Sequence, residues 1–198
     1  MSQAGQTQGH LNPDTACDRE LGFWLFLMGD LIIFALLFVT YVIMRPNSAS
    51  GPGATTLFSL SRVGIETALL LISSFTFGIA SIMAAGRSPG STLGWLLITL
   101  LLGLGFLLME YVDFAGLVVA GNGPSTSGFL SSYFVLVGTH GLHVAAGALW
   151  LAVSAVQITQ RRLTDAMLSR LTRLALFWHF LDIIWIGIFS IVYLPEFV

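Results

Sequence analysis

Residues 21–44 read LGFWLFLMGDLIIFALLFVTYVIM, an apolar run broken by one acid, Asp30. Roughly 20 consecutive apolar residues span the hydrocarbon core of a bilayer as a helix, so this stretch predicts a transmembrane helix. Asp30 lies about nine residues in, roughly 14 Å deep at a rise of 1.5 Å per residue. An acid at the centre of such a helix costs roughly 2.5–3.5 kcal/mol on the insertion scale, so it needs a partner. The same reading gives further spans at 63–85, 93–111, 128–158 and 174–194.

Composition agrees with that reading. The 198 residues are 56% hydrophobic and only 9% charged, whereas soluble domains carry roughly 25% charged residues. The chain is therefore expected to be an all-α integral membrane protein, a bundle of five transmembrane helices occupying residues 21–198. A net charge of −2 and the lack of any basic run argue against a nucleic-acid partner. Cys17 is the single cysteine and cannot form an intrachain disulfide or a metal cluster alone. Residues 1–20 form a polar tail without the basic start and apolar core of a secretory signal, so the first span is expected to act as its own insertion signal. His10, in this tail, is expected to be solvated.

Punctuation separates the spans. Arg45-Pro46-Asn47-Ser48-Ala49-Ser50-Gly51-Pro52-Gly53 follows the first, Gly86-Arg87-Ser88-Pro89-Gly90 makes a tight turn after the second, and residues 120–127 part the third from the fourth. The chain has no lysine, so orientation rests on arginine. Five crossings put Arg19, Arg87, Arg161, Arg162, Arg170 and Arg173 on the N-terminal side and Arg45 and Arg62 on the other. The positive-inside rule then predicts a cytoplasmic N-terminus and a periplasmic C-terminus.

Apart from Glu66, the remaining polar groups in or closing the spans come in spaced pairs. Glu66 stands near the start of the second span, and Glu110 and Asp113 close the third at i, i+3. His140 and His143 repeat that spacing in the fourth, as do His179 and Asp182 in the fifth. Residues three apart share a helix face, and a His179–Asp182 contact would lower the cost of burying both. Gly138, Gly141, Ala145 and Ala148 form a small-residue stripe on the opposite face of the fourth helix. Such stripes let helices approach closely, and Gly103-Leu104-Gly105 is a possible neighbour. Metal sites usually need three or four ligands, and no second HxxH or cysteine cluster exists. Hydrogen-bonded structural histidines are thus favoured over a haem held by His143 and His179. Asp30, Glu66 and Glu110 admit either a proton-path role or a structural one, and Asp30 is evenly poised between them. The five tryptophans divide between interfacial anchoring and packing.

Four words, in order and covering 21–194, resemble subunit III of the haem-copper terminal oxidases. They are Gly22-Phe23-Trp24 leading to Asp30, Glu110-Tyr111-Val112-Asp113-Phe114, the HGLHV run of 140–144, and the WHFLDIIW run of 178–185. Five spans rather than the seven of the mitochondrial type make the chain most similar to the cytochrome o ubiquinol oxidase branch of proteobacteria. Some bacterial cytochrome c oxidases and nitric-oxide-reductase-associated proteins are alternatives. The family often has Glu where this chain has Asp30, so the reactivity of that Glu does not carry over. The resemblance implies a non-catalytic subunit of a proton-pumping quinol oxidase in the bacterial inner membrane. It would pack on subunit I, which carries the haems and copper, and contact other oxidase subunits. It would also hold phospholipid in a cleft and support assembly, lasting activity and proton uptake. A small proton-coupled transporter using Asp30 and Glu66 is the rival from a different class; the lack of an inverted repeat weighs against it.

Overall fold

A computed structural model of the chain describes residues 13–46, 60–161 and 163–196. His10, Arg162 and most of the 45–53 breaker lie outside them. Among the described residues, five helices are long and apolar enough to cross a membrane. They are α1 (Pro13–Met44), α2 (Leu60–Ala85), α3 (Pro89–Val119), α4 (Gly128–Arg161) and α5 (Asp165–Ile188). Helix α5 runs on through a π turn, Phe189–Tyr193, into a 3-10 turn, Leu194–Glu196.

Local chemistry sets the helix ends. At the α2–α3 turn, Arg87 adopts φ +53, and the amides of Arg87 and Ser88 bond back to the carbonyls of Ala84 and Met83. Pro89 then opens α3, where its missing N–H costs nothing. Helix α3 passes Tyr111, where the apolar run ends, and continues to Val119. Asp113, within this extension, pairs with Arg62 of α2 at 2.7 Å. The stop comes at Gly121, whose φ of +80 suits glycine, with Asn122 N–H bonding to the Leu117 carbonyl. Ser127 and Thr164 cap α4 and α5 by accepting from the amides of Leu130 and Met167.

Helices α2, α3, α4 and α5 close a four-membered ring, each packed on the next and α5 on α2, while α1 lies outside against α4 and α5. The turn at 86–88 and the start of α5 share an end with the start of α1; this is the proximal end. The distal end carries Met44 and the 120–127 loop. Lipid is as apolar as leucine, so close packing rather than water exclusion holds such helices together. Trp178 of α5 is the hub of that packing. Its indole N–H donates to Ser73 Oγ at 3.0 Å, and its ring lies across two glycines. A Cβ on Gly103 would stand 2.8 Å from the ring, and one on Gly147 3.1 Å from it.

The expected small-residue stripe is packed at its two ends only, where Gly138 faces the Phe114 ring and Ala148 is buried. Gly141 has open space and Ala145 is exposed, whereas Gly147, half a turn away from that stripe's line, takes the contact. Gly103 receives Trp178 of α5 rather than a backbone of α4. Helix α1 is attached by rings: Phe38 rests on Gly187, Tyr41 on Phe129, and Phe23 on Trp150. Its other face exposes Leu21, Leu25, Ile32 and Leu36.

Candidate functional site

The eight polar residues read from the sequence fall into three groups. The first joins α1 to α4 at mid-span. His143 Nδ1 donates to the Thr139 carbonyl at 2.8 Å, because a carbonyl can only accept. That bond fixes the ring's tautomer and leaves Nε2 facing Asp30 Oδ2 at 3.5 Å. The separation is long for a hydrogen bond, and the two atoms attract only when one of them carries a proton. Asp30 is 7% exposed. The Phe34 ring lies 5.3 Å from that of His143 and walls the contact on one side.

His140, one turn along α4, behaves differently. It is wholly buried, and neither ring nitrogen has a hydrogen-bond partner. Aromatic rings surround it instead: Trp185 stacks on it at 5.2 Å, with Phe106 and Phe34 edge-on at 5.9 and 6.4 Å. The hydrogen-bonded histidine expected at both positions is therefore found at His143 only. His140 is held by shape.

The second group joins α5 to α2. Ser74 Oγ and His179 Nδ1 lie 2.5 Å apart, while Asp182, the expected partner within the helix, stands 4.0 Å from the same nitrogen. The i, i+3 pair is thus present at the outer limit of an ion pair, and a hydroxyl from the neighbouring helix makes the closer contact to the imidazole. Asp182 is itself buried.

The third group lies toward the distal end. Glu66 on α2 and Glu110 on α3 are buried and within electrostatic reach of each other and of Asp113. Arg62 holds Asp113 at the rim. The hydroxyls of Tyr133 and Tyr193 meet at 3.0 Å beside them, and Trp185 Nε1 donates to Thr67 Oγ1 at 3.1 Å.

The hydroxyl and indole partners (Ser73, Ser74, Thr67, Tyr133, Tyr193 and Trp185) were not singled out from the sequence as site residues. Serines and threonines are common in membrane helices, where they bond to their own backbone, as Thr67 and Ser73 also do here. Only the fold shows which of them reach across. Among the described residues, no three histidines, cysteines or acids converge so as to hold a metal ion.

Known proteins resemble the whole chain. A family model described as cytochrome c oxidase subunit III matches residues 1–196. A cytochrome bo(3) ubiquinol oxidase subunit 3 from Pseudomonas putida is 48% identical over 174 residues, covering 88% of this chain and 84% of its own. The protein of the same name from Pseudomonas aeruginosa is 46% identical over 192 residues, or 97% of this chain and 91% of that one. A quinol oxidase subunit 3 from Bacillus subtilis is 45% identical over 175 residues, 88% of this chain and 85% of the relative.

Proposed function

Since the chain belongs to the cytochrome c oxidase subunit III family, we propose that it serves as subunit III of a cytochrome o ubiquinol oxidase. The observation that carries this reading is 46% identity to a bo(3) ubiquinol oxidase subunit 3 across 97% of the chain. The family model's description names cytochrome c as donor, whereas these relatives are named for quinol. The donor inferred here follows the relatives.

In this reading the subunit is non-catalytic. Oxygen is reduced at haem and copper in subunit I, against which this chain packs, and other oxidase subunits complete the assembly. Its own residues hold a lipid-embedded scaffold together and support proton uptake, with Asp30 and His143 the pair suited to holding a proton at mid-membrane. The lipid-facing exterior, with its exposed leucines and isoleucines, accommodates bound phospholipid. Arginine distribution supports a cytoplasmic proximal end and a periplasmic distal end in a bacterial inner membrane.

The test is purification in mild detergent through a tag on this chain. The proposal expects a haem-bearing partner in the eluate and oxygen consumption driven by quinol. A chain that comes down alone, or a complex that oxidises cytochrome c and not quinol, overturns it.

A further inference from the structure

The distal group holds two acids, each with one buried oxygen that no donor of the protein meets. Glu66 is 1% exposed and Glu110 6%, and Oε1 of each makes no hydrogen bond to the protein. In native structures the large majority of buried side-chain polar atoms are paired, with protein or with ordered water. The neighbouring donors are engaged elsewhere. Arg62 points its guanidinium at Asp113, Trp185 donates to Thr67, and the Thr67 hydroxyl donates to the Val63 carbonyl. What the two oxygens need is a small donor from outside the chain, lodged between α2 and α3.

We propose that Glu66 and Glu110 form an internal water-binding site in which ordered water donates to both Oε1 atoms and exchanges with the aqueous phase at the distal end. A buried water typically makes about three hydrogen bonds, and the Tyr133–Tyr193 hydroxyl pair, within electrostatic reach of Glu110, is the candidate for the third. The route outward passes the Arg62–Asp113 pair, where Arg62 is 61% exposed. This site is separate from the Asp30–His143 contact at mid-span, and it does not depend on which electron donor the complex uses.

Hydroxyl-radical footprinting of the intact complex tests it, because radicals formed from bound water oxidise the side chains beside that water. Corrected for intrinsic reactivity, Tyr133 and Tyr193 should be modified several-fold faster than Phe34 and Phe77, which are equally buried away from the acids. Glu110→Leu should bring both tyrosines down to the phenylalanine level. Glu66→Gln, which keeps a polar partner for water, should leave them fast. Tyrosines no faster than the phenylalanines in the wild-type complex overturn the proposal even if the leucine variant fails to assemble. So does a high-resolution map in which the two acids bond directly to each other, or in which the density between them has the longer, more numerous contacts of a monovalent cation.

Discussion

Replacing Gly103 by alanine probes the packing hub directly. The added Cβ would stand 2.8 and 2.9 Å from two carbons of the Trp178 ring, against about 3.5–4.0 Å for carbon atoms at their best separation. The ring has little room to retreat. Its other edge already lies 3.1–3.2 Å from where a Cβ on Gly147 would be, and its N–H is held by Ser73 at 3.0 Å. Overpacking of this kind costs about 1–3 kcal/mol, and a strained indole bond adds roughly 0.6 kcal/mol, the mean for such bonds between membrane helices. Gly141→Ala is the control. It gains the same helix propensity, about 1 kcal/mol on the soluble scale, but meets nothing within 4 Å. The two variants should therefore differ by about 1.6–3.6 kcal/mol in unfolding free energy, measured by titrating the purified complex in mixed micelles with sodium dodecyl sulfate. A double-mutant cycle with Trp178→Phe completes the test, since the smaller ring vacates the space that the new methyl group needs. If Gly103→Ala costs as much in the Trp178→Phe background as in the wild type, or no more than Gly141→Ala, the hub is misplaced.

Other substitutions separate the polar groups. Asp30→Ala should lower the yield of assembled complex and shorten its active lifetime while leaving the initial oxygen-consumption rate of intact complex near the wild-type value; immediate loss of turnover in fully assembled enzyme would contradict this. Ser74→Ala removes the partner of His179, an interhelical bond worth about 0.6 kcal/mol on average and about 1.7 at most, so a small fall in unfolding free energy is expected. Arg62→Ala breaks an ion pair whose arginine is 61% exposed, and a loss below about 1 kcal/mol should be seen, shrinking further in high salt.

The five crossings were legible because membrane thickness turns length and apolarity into a helix. The polar residues were legible for the converse reason, since each is costly where it stands. Neighbours were harder to read. In water an apolar stripe marks the inside of a helix, but in lipid both faces are apolar, so Leu21 and Leu27 look alike although one is exposed and the other is core. The same blindness hides which small residues are packed, since Gly138 and Ala148 of the stripe are in contact or buried while Gly141 and Ala145 are open. Gly141 and Gly147 are equivalent as letters, and only the arrival of Trp178 distinguishes them. Spacing alone gave the His179–Asp182 pair but not its closer companion, because a sequence pattern sees the same helix and not the hydroxyl of Ser74 opposite. Helix ends shifted where a turn signal, and not the edge of apolarity, does the stopping, as when α3 runs past Tyr111 to the Gly121 turn.

The contact between Asp30 and His143 also has a history in time. Asp30 leaves the ribosome with α1, and His143 follows 113 residues later on α4. At roughly 5–20 residues per second, the acid waits on the order of 6–23 s before its imidazole exists. During that interval α1 depends on its own leucines, isoleucines and phenylalanines, each contributing roughly 0.3–0.6 kcal/mol to insertion, against an Asp penalty of about 2.5–3.5 kcal/mol. The run is long enough for the balance to favour insertion. The first helix is thus built to stand alone in the membrane, and the histidine that meets its acid serves the finished bundle rather than the act of entering it.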